Sequence, residues 1–127
     1  MAKPRIKHIA IMCSDPDNLA KFYCDVFAME VQHRKGNESV FLTDGYMNIA
    51  LLSQKAEGKP NGLNHIGFHV EDPDAIAASM TKWKAVAPKK RPPDRHYAET
   101  RGADPEGNNF DLSRGGFERV RADRKDE

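Results

Sequence analysis

Two histidines at matched positions of an internal repeat are the residues best placed to do chemistry in this chain. Residues Ile6 to Ala20 (IKHIAIMCSDPDNLA) and Leu63 to Ala77 (LNHIGFHVEDPDAIA) align without a gap at an offset of 57, with six of fifteen positions identical. His8 and His65 are among the identities, together with Ile9/Ile66, Asp15/Asp72, Pro16/Pro73, Asp17/Asp74 and Ala20/Ala77. A neutral imidazole is the commonest metal ligand and also a proton donor or acceptor near neutral pH. One strand histidine is usually an ordinary core or surface residue. A pair repeated at equivalent positions suggests that both face a shared site.

The elements that position them follow from the same repeat. In each copy an apolar run rich in β-branched residues fits a buried strand. Asp15 and Asp72 then fit N-caps, with Pro16 and Pro73 at the first helical position, where no N–H is needed. Strict alternation puts His8, Ala10 and Met12 on one strand face and Ile9, Ile11 and Cys13 on the other, the second face meeting the helix. Each histidine is followed two residues later by a small residue, Ala10 or Gly67, which leaves room beside the ring. The first helix is predicted over about Pro16 to Phe27, with Leu19, Phe22, Tyr23, Val26 and Phe27 as its apolar stripe. Strands follow at Met29 to Arg34, Ser39 to Asp44 and Tyr46 to Leu52, completing a βαβββ unit with an Asp44-Gly45 hairpin turn. The second copy repeats the order: strand Leu63 to Glu71, helix about Pro73 to Lys84, an irregular edge strand within Val86 to Arg91, and strands Tyr97 to Ala103 and Asn108 to Ser113. The expected organisation is one α+β domain of two tandem βαβββ modules. Module one spans about 5–53, a linker 54–62, module two 63–114, and a charged tail, frayed or a solvated helix, 117–127.

Composition narrows the function classes. The 127 residues make one domain, long enough to bury roughly two thirds of the unfolded surface. The net charge of +1 leaves no electrostatic footprint for nucleic acid or a membrane surface. No run approaches the ~18 apolar residues of a spanning helix, and Met1 to Pro4 leads directly into the first strand with no room for a signal peptide. Cys13 and Cys24 form no CxxC pair and are expected to be reduced, mostly buried thiols of a cytoplasmic protein.

The doubled strand–helix start, the polar linker and the ending Tyr97-Ala98-Glu99-Thr100-Arg101-Gly102-Ala103-Asp104-Pro105-Glu106-Gly107-Asn108 resemble the vicinal oxygen chelate superfamily. This group includes glyoxalase I, bleomycin-resistance proteins and type I extradiol dioxygenases. The resemblance runs from Ile6 to about Ser113 and implies a half-open mixed β-barrel around a metal site. It places ligands on the first and last strands of each module, at His8, His65 and Asp111. Where many relatives carry a glutamate, this chain has the shorter aspartate. The equivalent position in the first module is Ala50, from pairing Asn48-Ile49-Ala50-Leu51 with Asn109-Phe110-Asp111-Leu112, so a fourth protein ligand is missing. Two imidazoles and a carboxylate form a triad with open coordination positions, suited to Fe(II) and also to Mn, Ni or Zn. The expected cofactor is therefore one divalent transition metal, lost when any ligand is replaced by alanine in a protein that stays folded. The competing reading is a metal-free pocket in which these residues pack or hydrogen-bond.

Around the triad, His69 shares the face of His65 and is a candidate proton relay. Glu99 and Arg101 share a strand face and are candidate catalytic groups, with Arg101 holding a substrate carboxylate or pairing with Glu99. Tyr97 is a candidate substrate-binding phenol at the rim or a packing aromatic. His33 and His96 are expected at the surface. The resemblance implies a metal-dependent enzyme acting on a small molecule with vicinal oxygens, dioxygenase-like or lyase/isomerase-like. A standard glyoxalase I is not expected, because Ala50 removes a carboxylate from its scheme. Dioxygenases usually have a tyrosine where this chain has Arg101, and the glutamate pair of the epimerases is not found. The alternative is a drug- or antibiotic-binding protein of the bleomycin-resistance type. Module surfaces left uncovered predict a homodimer, with modules paired within one chain or across two.

Overall fold

The computed structural model describes residues 3–54, 60–91 and 98–117. Its strands are β1 (Arg5–Cys13), β2 (Glu30–Lys35), β3 (Ser39–Thr43), β4 (Asn48–Ser53), β5 (Gly62–His69), β6 (Lys89–Lys90), β7 (Thr100–Ala103) and β8 (Asn109–Ser113). The helices are α1 (Pro16–Phe27) and α2 (Pro73–Lys82). One eight-stranded mixed sheet runs in the order β2-β3-β4-β1-β5-β8-β7-β6 and does not close on itself. The expected α+β class and the two βαβββ modules are both present, side by side within one chain. Among the described residues no helix is long and apolar enough to cross a membrane.

The helix starts form as their sequences require. Asp15 accepts from the Asn18 N–H, and Asp72 accepts from the N–H groups of Asp74 and Ala75. Caps of this kind contribute about 1 kcal/mol each. α1 ends where Ala28 turns left-handed at φ 57° and Met29 N–H reaches back to the Tyr23 carbonyl. The Ile9 face meets this helix as alternation predicts: Ile11, Cys13, Val40, Leu42, Ile49 and Leu51 pack with Leu19, Ala20 and Tyr23. The opposite, concave face holds a separate core of Ala10, Phe41, Ala50, Ala98 and Phe117.

The two modules join along β1 and β5, which are antiparallel with Ile9 opposite Ile66. Each then pairs in parallel with the last strand of its own module, β1 with β4 and β5 with β8. A pseudo-twofold axis thus passes by the Ile9–Ile66 pair. It sets His8 opposite Gly67 and His65 opposite Ala10. The small residues therefore lie directly across from the other module's imidazole. A Cβ at Gly67 would lie 2.9 Å from the His8 Cβ and 2.6 Å from the Phe117 ring, so no larger residue fits without a shift.

The edge strand expected within Val86 to Arg91 is β6, two residues long at the end of the sheet and close to Pro88, which withholds a ladder N–H. Two local expectations need revision. His33 is buried at 8% exposure with its ring edge-on to Phe41, because a register shift between Val31 and His33 turns it inward. Phe117, read as the start of the tail, is fully buried. Cys13 and Cys24 are free thiols.

Candidate metal centre

The β7–β8 hairpin fixes one side of the site. Asp104 accepts from the N–H groups of Glu106 and Asn108 and from the Asn108 amide. Gly107 takes a φ of +89°, which favours glycine there. This turn registers Arg101 opposite Asp111, while β8 sets Asp111 beside Gly67 on β5. His8 and His65 approach from β1 and β5 with ring centroids 5.3 Å apart. His8, His65 and Asp111 thereby offer donor atoms that all lie within 4.8 Å of one another, and all three residues are buried.

Each imidazole is oriented through its Nδ1. His8 Nδ1 lies 2.5 Å from Asn48 Oδ1, and the Asn48 amide donates in turn to Gln32 Oε1. His65 Nδ1 lies 2.6 Å from Asn64 Oδ1. An amide oxygen only accepts, so both Nδ1 atoms carry the proton and both Nε2 atoms face the cluster. Burial, and then the neighbouring His65, lower the His8 pKa to about 4, so its Nε2 lone pair is available at neutral pH.

Burial opposes ionisation of Asp111, but hydrogen bonds from His65 and Arg101 outweigh it and hold the carboxyl well below its usual range. The two carboxylate oxygens have different neighbours. Oδ1 accepts from Arg101 Nε at 2.7 Å and has Arg91 Nη1 at 3.5 Å. Oδ2 lies 3.0 Å from His65 Nε2 and only 3.3 Å from Arg101 Nη2. A carboxylate oxygen and an imidazole nitrogen whose other nitrogen is protonated cannot approach to 3.0 Å with two bare lone pairs. Either a proton or a metal ion lies between them. Adjacent ligands bound at roughly 2.0–2.2 Å in octahedral geometry sit about 3 Å apart, so the spacing accommodates a divalent ion as well as a hydrogen bond from a protonated Nε2. Ala50 faces Phe41 across β3 and β4 in the apolar concave core, and supplies no fourth donor.

The other candidate residues fall in two places. Arg101 is at the cluster, held by Asp111 rather than by Glu99. Glu99 instead accepts from Ser113 Oγ at 2.9 Å and from Arg114 N–H at 2.6 Å, while His69 Nε2 donates to the Arg114 carbonyl at 3.1 Å. Both therefore hold the turn after β8. Tyr97 and His96 lie outside the described residues. That turn delivers Phe117, whose ring stacks on His8 at 4.5 Å and 5°. The room expected beside the histidines is thus occupied by an aromatic ring. Sequence reasoning missed Phe117, Asn48, Asn64 and Arg91. Only Phe117 carried a signal, as a lone aromatic between Gly115-Gly116 and a strongly charged run.

Residues 5–112 match the sequence profile of the Glyoxalase/Bleomycin resistance protein/Dioxygenase superfamily. No curated protein matches the chain. Among solved structures, a variant of Streptomyces coelicolor methylmalonyl-CoA epimerase in complex with 2-nitronate-propionyl-CoA is 25% identical. It matches with a TM-score of 0.61 over 87% of this chain and 97% of that one. The Mycobacterium tuberculosis methylmalonyl-CoA epimerase is 16% identical, with a TM-score of 0.64 over 85% of each chain. An extradiol ring-cleaving dioxygenase from B. fuscum is 18% identical, with a TM-score of 0.66 over 86% of this chain and 32% of that one.

Proposed function

Because the chain belongs to the Glyoxalase/Bleomycin resistance protein/Dioxygenase superfamily, we propose that it is a divalent-metal-dependent enzyme acting on a small molecule with two vicinal oxygens. The observation that carries this reading is the convergence of His8, His65 and Asp111 into one buried cluster whose donor atoms all lie within 4.8 Å of one another. A divalent ion held by His8, His65 and Asp111 would supply Lewis-acid polarisation of bound oxygens. The chain's own residues do the rest. Asn48 and Asn64 hold the imidazoles in one tautomer, which keeps each Nε2 directed at the centre. Arg101 fixes the carboxylate and, one-third exposed, presents its guanidinium to an anionic substrate group. Phe41 and Phe117 exclude water from the concave face. His69 and Glu99 retain their proposed proton-transfer roles only if the turn they hold moves. The apolar Ala50 position speaks against glyoxalase I chemistry and leaves dioxygenase-like and other lyase- or isomerase-like reactions.

The test is metal content. The protein is expected to take up one equivalent of Fe(II), Mn(II), Ni(II) or Zn(II), and His8→Gln and His65→Gln are each expected to abolish uptake while remaining folded. Elemental analysis showing no bound metal after reconstitution would sink the proposal. It would favour the second reading, a metal-free binder of small molecules. The specific support for that reading is the Arg101 guanidinium on both Asp111 oxygens and the Phe117 ring over His8.

We also propose a homodimer. Phe22, Val26 and Phe27 on α1 remain 50–62% exposed, an apolar strip left uncovered among the described residues. The metal cluster itself does not need a second chain, since all three residues meet within one. Light scattering at micromolar concentration is expected to give the mass of two chains, and a monomer mass overturns this.

A further inference from the structure

Beside the cluster, the far edge of the sheet adds two lysines, which the metal reading does not use, to the Arg91 and Arg101 that reach Asp111. Lys89 and Lys90 form β6, with Lys89 registered opposite Arg101 and Lys90 opposite Thr100. Together with Arg91 and Arg101 they line a cavity of about 490 Å³, and the described lining contains no acidic residue. Val86 and Ala87 supply an apolar wall to the same cavity. Arg101 and Arg91 also reach Asp111, at 2.7 and 3.5 Å. The cavity and the cluster therefore share a wall one side chain thick.

The geometry points to an anion-binding subsite that holds the charged end of an organic substrate while its oxygens face His8, His65 and Asp111. The volume decides the kind of ligand. A single inorganic anion leaves most of such a space empty, whereas small organic molecules occupy sites of about 300–1,000 Å³. The lining decides the chemistry. Two lysine ammoniums are mobile point charges suited to a phosphate or to paired carboxylates, and the guanidinium forks favour the same groups. The apolar wall accommodates a carbon body. The ligand class is accordingly a small organic dianion with an apolar portion. This rests on the enzyme reading only in assigning the ligand's other end to the cluster.

The experiment titrates ¹⁵N-labelled, metal-free protein with phenyl phosphate, with isophthalate and with neutral benzyl alcohol, following backbone amide shifts. Saturable shifts centred on residues 86–91 and 101–103 are expected with at least one dianion, and none with benzyl alcohol. Lys89→Gln/Lys90→Gln is expected to weaken the binding at least tenfold. Both lysines are exposed, so the double variant keeps the fold. The phosphate and dicarboxylate arms identify which anion the site prefers. Shifts spread over all surface lysines, no saturation with either dianion, or unchanged affinity in the double variant would each overturn the inference. The lysines would then only guard a sheet edge against pairing. Because the titration needs no metal, dianion binding in a protein that takes up no metal would refute the enzyme reading alone. Metal uptake without dianion binding would refute this subsite alone.

Discussion

Asp111→Ala is expected to cost about 3–5 kcal/mol of folding stability, the range for removing one partner of a buried ion pair. For a domain of this size that lowers the melting temperature by on the order of 10–20 °C. The carboxylate has 0% exposure and is the shared partner of Arg101, Arg91 and His65. Its removal leaves cationic groups facing a gap in a low-dielectric environment, which costs more than the lost hydrogen bonds themselves. The same physics predicts non-additivity. Arg101→Leu in the Asp111→Ala background is expected to restore at least about 1 kcal/mol, because it removes a charge that no longer has a partner. Urea or thermal unfolding of the four proteins of this cycle is the measurement. Additive costs, or an Asp111→Ala protein within 1 kcal/mol of the parent, would show that the ion pair is not what holds this wall. The simple expectation that alanine at any ligand leaves a folded protein therefore does not extend to Asp111. Metal uptake is better tested at the two histidines.

The repeat made the scaffold legible because it encodes a local grammar. Strand alternation, an Asp N-cap and a Pro at the first helical position act within a few residues, and each was realised in both modules. The pairing of His8 with His65 was also legible, since equivalent positions on two strands related by a pseudo-twofold axis must face one concavity. Asp111 came from family likeness, and pairing Asn48-Ile49-Ala50-Leu51 with Asn109-Phe110-Asp111-Leu112 then located Ala50 as its counterpart in the first module. What escaped was the company these residues keep. Nothing local distinguishes Arg101 paired with Glu99, two residues away, from Arg101 paired with Asp111 across a hairpin. His33 was expected at the surface, and a register shift between Val31 and His33 turns it inward. Asn64 directly precedes His65, yet nothing in the sequence marks its amide as the partner of that ring, whereas Asn48 escaped for the same non-local reason. Asn48 is opposite His8 only because β1 and β4 pair in parallel register, a contact 40 residues apart in sequence.

Phe117→Ala is expected to accelerate metal uptake by the folded protein at least tenfold, despite losing about 3–5 kcal/mol of stability as a truncated core aromatic. The cluster is closed to solvent: exposure is 0% at Asp111, 1% at His8 and 7% at His65. An entering ion or substrate must displace something, and the Phe117 ring lies flat on His8 at 4.5 Å. This ring is carried by a short turn rather than by a strand. Glu99 and His69 hold that turn at Ser113 and Arg114, and Gly116 N–H donates to Ser113 Oγ. Glu99→Gln weakens the charge-assisted contacts without touching the cluster, so it is expected to speed uptake by a smaller factor. Leu42→Ala serves as the control, because it empties the helix-side core and destabilises comparably without opening the concave face. Stopped-flow transfer of Zn(II) from a chromophoric chelator measures all three variants under native conditions. If Leu42→Ala speeds uptake as much as Phe117→Ala, the ion enters through general unfolding and the ring is ordinary core. If Phe117→Ala takes up Zn(II) at the parental rate, access lies elsewhere, and the Arg101 side of the cluster is the remaining path. The expected order, Phe117→Ala fastest, then Glu99→Gln, then Leu42→Ala near the parent, is one that loss of stability alone does not produce.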